Sequence, residues 1–316
     1  MKLLSGHLLP SPAPTNHASS LCALPDGGLL AVWFGGHHES ADDVEIYAAR
    51  CENGVWRSPA QLSVPSGEAC WNPVLWTDPM SGEITLWFKR GRKIAHWRTF
   101  VRRSSDSGRT WSAEEEAVPG DTSGGRGPVK NKPLLLRDGT LIAGASHESE
   151  DGRIWRAFFD LSADGGHTWQ RTPYLETDRP VRLIQPTLWE DVDGVHTLLR
   201  SDSGFLWRAD SPDSGRTWSK ARPTAVPNNN SGVDCVFLPE SGTLVLACNP
   251  VGQDWGARSP LSLLISRDGG RSWKRGLDPE RGEGEFSYPA VVAADGALYV
   301  SYTWNRRGIR VRKVEA

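Results

Sequence analysis

The segment Ser104-Ser105-Asp106-Ser107-Gly108-Arg109-Thr110-Trp111 decides how this chain folds, because its pattern returns three more times. The other copies run from Ser162 to Trp169, from Ser211 to Trp218 and from Ser266 to Trp273, each reading Ser-x-Asp-x-Gly-x-Thr/Ser-Trp. A shortened relative, Glu52-Asn53-Gly54-Val55-Trp56, stands one period earlier. These residue types describe a self-satisfied hairpin. Ser and Asp oxygens accept the N–H groups of the turn, Gly takes the left-handed backbone position, and Trp packs beneath. The motif is therefore read as structural and not as catalytic.

A second repeat runs out of phase with the first. Asp26-Gly27, Ser81-Gly82, Asp138-Gly139, Asp193-Gly194, Ser241-Gly242 and Asp295-Gly296 each sit between two apolar runs, at intervals of 48 to 57 residues. Such a dipeptide between alternating apolar runs is a hairpin signal, since Gly accepts the positive φ that hairpin turns require. Each period then holds four strands, and a repeated four-stranded unit of this length is the mark of a β-propeller. Six hairpins predict an all-β, six-bladed propeller of four-stranded antiparallel blades, as one domain over residues 1–316. The last blade shows three strands, at about 286–294, 297–304 and 308–314, so its fourth is expected from Lys2 to Leu9, closing the ring.

Composition agrees with short strands and many turns. Gly and Pro number 33 and 22, and Trp is abundant at 15 against 2 Met. With 36 Lys+Arg and 38 Asp+Glu the formal net charge is −2, which gives no global basic field for nucleic acid. The five cysteines, Cys22, Cys51, Cys70, Cys235 and Cys248, are widely spaced without a C-x-x-C pair, unlike a disulfide framework or a zinc set. His37-His38-Glu39 is not read as a metal site, because adjacent residues on an extended segment point to opposite sides. No apolar run of signal-peptide length opens the chain and none approaches a membrane helix, so a cytoplasmic protein without membrane or nucleic-acid partners is expected.

In a propeller, the starts of the first strands and the ends of the second strands face one mouth of the central channel. First-strand starts give His17, Asn72, Lys130, Asn131, Gln185, Asp234 and Tyr288. Second-strand ends give His37, His38 and Glu39, then Lys89 and Arg90, then Ser146, His147 and Glu148, followed by Arg200, Asn249, Asn305 and Arg306. The loop after Asn249 adds Arg258. Cations gathered at one mouth of a net-negative chain predict an anionic ligand, most simply a carboxylate or an acidic sugar.

At these residues, and over essentially its whole length, the chain resembles the sialidases (neuraminidases), specifically the bacterial sialidase-like proteins with BNR repeats and Asp boxes. The resemblance implies a glycosidase with a tyrosine nucleophile, an aspartate acid/base and three arginines on the substrate carboxylate. Arg200 in Leu198-Leu199-Arg200-Ser201 and Arg258 after Asn249-Pro250 match two of those arginines. Tyr288 in Tyr288-Pro289-Ala290-Val291 matches the nucleophile. The loop His37-His38-Glu39-Ser40-Ala41-Asp42-Asp43 stands where the acid/base lies, which makes Asp43 or Asp42 its counterpart and Glu39 a further candidate. Lys130, Asn131, Asn72, Arg90, His147, Asp234, Asn249 and Arg306 are the remaining expected substrate contacts.

Two positions depart from the family pattern. Asn16-His17-Ala18-Ser19 replaces the Arg-Ile-Pro start of the first inner strand, and Gln185 in Ile184-Gln185-Pro186 replaces the glutamate that activates the tyrosine. A phenol with a pKa of about 10 is a poor nucleophile without a neighbouring base, and Gln cannot take its proton. Either Asp234 or Glu285 serves instead, or the chemistry differs. The expectation is an exo-α-sialidase-like hydrolase, independent of cofactor and metal, acting on a small acidic oligosaccharide or glycoside. One rival is a lyase or unusual glycosidase for uronic-acid or rhamnose-containing sugars, with His17 or His147 and Tyr288 as base and acid. The other is a non-catalytic sugar-binding propeller.

Overall fold

The turn motifs act in the computed structural model as their chemistry requires; it describes residues 1–315. In the second copy, Asp164 Oδ1 accepts the N–H groups of His167 and Thr168 at 3.1 and 2.8 Å, and Oδ2 accepts the Thr168 hydroxyl at 2.6 Å. Ser162 Oγ accepts the Gly166 N–H at 2.8 Å, and Gly166 adopts a φ of +88°. Equivalent bonds to the Gly and the Thr/Ser recur in the other three copies.

Six antiparallel sheets follow one another along the chain. Blade 1 holds Thr15–Ala23, Leu29–Gly36, Glu45–Glu52 and Val55–Trp56, with Ala60–Gln61 as an extra segment on its third strand. Blade 2 holds Cys70–Thr77, Ile84–Arg90, Arg98–Ser104 and Glu115–Glu116; blade 3 holds Leu134–Leu135, Leu141–Glu148, Trp155–Ser162 and Gln170–Arg171. Blade 4 comprises Leu183–Asp191, Gly194–Ser201, Phe205–Ser211 and Arg222–Pro227; blade 5 comprises Asp234–Leu238, Thr243–Cys248, Leu261–Ser266 and Lys274–Glu280. Blade 6 joins both ends of the chain. Phe286–Ala294, Ala297–Trp304 and Gly308–Glu315 are completed by Lys2–Leu8, which pairs antiparallel with Gly308–Glu315.

The second strands, such as Leu29–Gly36 and Ile84–Arg90, are buried throughout, because both faces of each blade are covered by neighbouring blades. That is why they read as continuous apolar runs and do not alternate. The core accordingly lies between blades, with Val32, Phe34, Leu75 and Leu86 in one cluster and Val245, Leu263, Val291 and Val300 in another. Trp33 and Trp87 are 1% and 0% exposed, and burying an aromatic of that size contributes a few kcal/mol, at about 25 cal/mol per Å². All five cysteines are buried free thiols. Among the described residues, no helix is long and apolar enough to cross a membrane.

Candidate active site at the channel mouth

Four inner strands break register close to their starts, between His17 and Ser20, Trp71 and Val74, Ile184 and Thr187, and Ser287 and Ala290. In each bulge a residue other than glycine takes the left-handed conformation: Ala18, Asn72, Gln185 and Tyr288, with φ of 53°, 42°, 55° and 52°. A bulge re-aims a side chain, and each such backbone costs about 1–3 kcal/mol, so it persists where the surroundings hold it. Pro73, Pro186 and Pro289 follow three of the four, and proline at a bulge loses no ladder bond.

The bulges of blades 4 and 6 bring Gln185 and Tyr288 to Arg200. Nη1 of Arg200 donates to Tyr288 Oη at 2.7 Å and to Gln185 Oε1 at 3.2 Å, while its Nε donates to Asn230 Oδ1 at 2.7 Å. Arg200 is 4% exposed and has no carboxylate in salt-bridge range among the described residues. Arg258 lies with its guanidinium carbon 5.5 Å from the Tyr288 ring centre and donates to Glu285 at 2.8 Å. Arg306 donates to both Glu285 and Glu39.

His17 sits inside this cluster, its ring centre 4.5 Å from that of Tyr288. Its Nδ1 meets the Thr303 hydroxyl at 2.8 Å, and its Nε2 is buried without a partner. Burial pushes the imidazole pKa well below 6.5, and Arg306, Arg258, Arg200 and Lys130 push it the same way. His17 is therefore neutral. Thr303 Oγ1 can donate or accept at Nδ1, so Nε2 can be free as either a donor or an acceptor.

Several expected contacts are spent elsewhere. Arg90 forms a two-armed pair with Glu114, at 2.8 and 3.2 Å, and donates to Val64 O, turned away from the mouth. Lys130 gives its ammonium hydrogens to Asn131 Oδ1, Val233 O and Pro289 O; burial pulls its pKa down to about 7, against the pull of Asp234. Asn131 and Asn249 donate to backbone carbonyls, of Gln185 and Pro186 and of Pro260 and Phe286. Asp234 accepts from Lys132 at 2.7 Å, from the Val291 N–H and from Thr187, so it does not act as a base for Tyr288. Glu285 is likewise held by Arg258, Arg306 and Ser287. These residues tie the blades together.

The first-blade loop carries three engaged carboxylates. Asp43 meets His37 Nδ1 at 2.6 Å, a contact that lowers its pKa; Asp42 accepts from Arg92 at 2.9 Å; Glu39 accepts from Arg306. His147 points to Tyr174, with Nδ1 and Oη 3.4 Å apart, and its neighbour Glu148 takes the opposite side of the strand. Glu148 lies across the register from Trp155, and burial raises its pKa although Arg200 and Arg182 draw it down. Sequence reasoning placed Glu148 at the mouth without giving it a role, and it missed Asn230, Trp155 and Trp255. Trp255 is 61% exposed, at a φ of 52°, with the Arg200 guanidinium 5.7 Å from its ring centre. Among the described residues, no group of three His, Cys, Asp or Glu side chains could hold a metal ion.

Fold and site together describe a six-bladed repeat propeller with a buried arginine, free of carboxylates, against a tyrosine. The chain belongs to the BNR repeat-like domain family, whose model matches residues 27–300. Its fold is similar to that of a Hadza microbial sialidase, with a TM-score of 0.82 at 16% identity over 96% of this chain and 66% of that one. A protein of unknown function from Dyadobacter fermentans superposes with a TM-score of 0.83 at 14% identity, over 99% and 98% of the two chains. The NanB sialidase from Streptococcus pneumoniae does so at 0.77 and 12% identity, over 99% and 70%. The chain thus spans just under two thirds of the Hadza enzyme, and at these identities the likeness is one of fold. No curated protein matches the sequence.

Proposed function

We propose that the protein is a glycoside hydrolase that releases a terminal acidic sugar, sialic acid or a related nonulosonic acid, with Tyr288 as nucleophile. The observation that carries this reading is Arg200, a buried guanidinium with no carboxylate partner, hydrogen-bonded to the hydroxyl of Tyr288. A buried guanidinium is costly to leave without a counter-charge, and a substrate carboxylate supplies one in the strongest pairing geometry available. Arg258 lies beside the same ring and adds a second cation.

Attack by Tyr288 requires an acceptor for its proton. Gln185 cannot act, and Asp234 and Glu285 are engaged elsewhere. Neutral His17, packed on the Tyr288 ring with Nε2 unpartnered, takes the proton once a shift of the two rings brings that nitrogen to the hydroxyl. The leaving oxygen requires a proton donor. Glu148 suits that role because burial holds its carboxyl protonated to higher pH than usual, whereas His37 draws Asp43 the other way. Asp42 and Glu39 remain at the mouth as loop carboxylates paired with Arg92 and Arg306.

The test is turnover of a fluorogenic α-sialoside by the purified chain and by Tyr288→Phe. The expected result is hydrolysis by the first and none by the second. Formation of an unsaturated uronate from uronate-containing oligosaccharides would mark a lyase in its place, a reading that the His17–Tyr288 contact also accommodates. Binding of acidic sugars with neither product would mark a lectin.

A further inference from the structure

The connection between blades 4 and 5 carries the run Asn228-Asn229-Asn230-Ser231, and all four residues are buried. Connecting segments belong at the surface, so a buried run of amides must direct its polar groups at something. Two of the asparagines direct theirs at the loop 251–258, which joins the second and third strands of blade 5 and ends on Arg258. Asn229 Nδ2 donates to Ala257 O at 2.7 Å, and Asn230 Nδ2 donates to Asp254 Oδ1 at 2.7 Å. The other amide atom of Asn230, Oδ1, accepts from Arg200 Nε. Carboxylate, amide and guanidinium thus form one line from exposed Asp254 to buried Arg200.

The direction of that amide is fixed by chemistry. A guanidinium N–H only donates and a carboxylate only accepts, so Asn230 must turn its oxygen to Arg200 and its nitrogen to Asp254. Asp254 then locks the amide, and the amide locks Nε. With Nη1 on Tyr288 and Gln185, Nη2 alone makes no hydrogen bond among the described residues. The single amide between the charges has a second consequence. A carboxylate directly on Nε would compensate Arg200, whereas one held a side chain further out sets its direction and leaves it without a contacting counter-charge.

We propose that Asn230 and Asp254 are positioning residues for Arg200, and that they hold its guanidinium with Nη2 presented to the substrate carboxylate. Trp255, next to Asp254, has a φ of 52°, a backbone that a bulky residue keeps only where its surroundings fix it. The bond from Asn230 to Asp254 is one such fixing contact. This inference rests on the reading of Arg200 as the anchor for the substrate carboxylate.

Asp254 is exposed, so Asp254→Ala is expected to leave the melting temperature in place. The KM for a fluorogenic α-sialoside rises by about fivefold with kcat little changed, as expected for a loosened charge-assisted contact. Asp254→Asn keeps an acceptor oxygen for Asn230 Nδ2 and stays near the wild type. The sign is decisive. A carboxylate acting through its charge alone would repel an acidic substrate, and both neutral variants would then lower KM. A second readout needs no substrate. The Nε–H of Arg200 gives a proton–nitrogen NMR correlation, identified by its loss in Arg200→Met. Its exchange with solvent is expected to quicken by about tenfold in Asp254→Ala and to stay slow in Asp254→Asn. A KM unchanged or lowered in Asp254→Ala, or an Nε–H exchange rate equal to that of the wild type, overturns the positioning role. Absent turnover, or a kcat/KM unmoved by Arg200→Met, overturns the reading of Arg200 as the anchor, while Nε–H exchange still decides whether Asp254 positions it.

Discussion

Arg200 in blade 4 donates to the hydroxyl of Tyr288 in blade 6 at 2.7 Å, spanning the channel with no carboxylate paired to the guanidinium. The neighbouring cations are satisfied in other ways, Lys130 by amide and carbonyl oxygens and the rest by carboxylates. Arg258 and Arg306 share Glu285, Arg90 holds Glu114, and Lys132 holds Asp234. A site that leaves one buried guanidinium uncompensated loses stability in the free protein and regains it when an anion binds.

Arg200→Met should therefore separate stability from function. The substitution removes an unpaired buried charge and keeps the volume, so the melting temperature is expected to hold or rise. Turnover of an acidic glycoside falls by about a hundredfold or more, as expected when a charge-assisted contact to the substrate is lost. Thermal unfolding and kinetics on the same preparation check both halves. A large fall in melting temperature would reassign Arg200 to the scaffold.

His17 makes the fold sensitive to acid. Its folded pKa lies well below the ordinary 6.5, because of burial and then the surrounding cations. As pH falls below that ordinary value the unfolded chain takes up a proton that the folded chain refuses. Stability is thus fully present above the unfolded pKa and declines as pH drops toward the folded one. Between about pH 7 and about pH 5 the wild type is expected to lose more stability than His17→Gln. Parallel slopes in thermal melts of the two proteins would contradict this.

The propeller was legible because its signals are local. Asp-Gly turns and the Ser-x-Asp-x-Gly-x-Thr hairpins satisfy themselves within a few residues, so their spacing counts the blades. The site was legible only in part. Neighbouring residues on a strand face opposite ways, so an error of one at a strand end exchanges His147 for Glu148. A bulge shifts the phase again. Ala18, not His17, holds the left-handed position equivalent to Asn72, Gln185 and Tyr288. The dipeptides Asn72-Pro73, Gln185-Pro186 and Tyr288-Pro289 were the available signal of those bulges. Pairings such as Lys132 with Asp234, 102 residues apart in sequence, leave no local trace, and they decide which charges are free.

Ring closure rests on a strand whose side chains are all exposed. Lys2–Leu8 contributes its backbone to Gly308–Glu315, and Leu9 follows it into the core at 2% exposure, its N–H donating to Ile309 O. Deleting residues 1–9 uncovers Gly308–Glu315 as an open edge, which templates pairing with other chains. The expected outcome is a lower melting temperature and oligomers on size-exclusion chromatography, against a monodisperse peak for the full chain.

The hairpin glycines divide by what a side chain would meet. At Gly215, with φ at +79°, an added Cβ would lie 2.4 Å from Ile142 Cδ1 in the core. At Gly139, with φ at +87°, nothing lies within 4 Å. Gly139→Ala then bears the backbone penalty alone, while Gly215→Ala adds about 1–3 kcal/mol for overpacking. Denaturant unfolding should rank Gly215→Ala clearly below Gly139→Ala, with the activity of the folded fraction intact in both.

Gln185 sets the sharpest test of the chemistry. Its Oε1 accepts from the same Arg200 nitrogen that donates to Tyr288 Oη, at 3.2 Å against 2.7 Å. Gln185→Glu changes the charge there and almost nothing of the shape. Two consequences oppose each other. The new carboxylate neutralises Arg200, so an acidic substrate binds less well and KM rises by about tenfold, the worth of one charge-assisted contact. The same carboxylate gives Tyr288 a second base, held on the arginine nitrogen that already binds its hydroxyl. A positioned base contributes about a hundredfold or more, of which His17 already supplies part, so kcat should rise by about tenfold. The ratio kcat/KM would then stay nearly constant while both constants move together. A raised KM with kcat unchanged would mean that proton removal from Tyr288 does not limit the rate. A fall in kcat would mean that the positive charge of Arg200, and not the nucleophilicity of Tyr288, is what the reaction depends on.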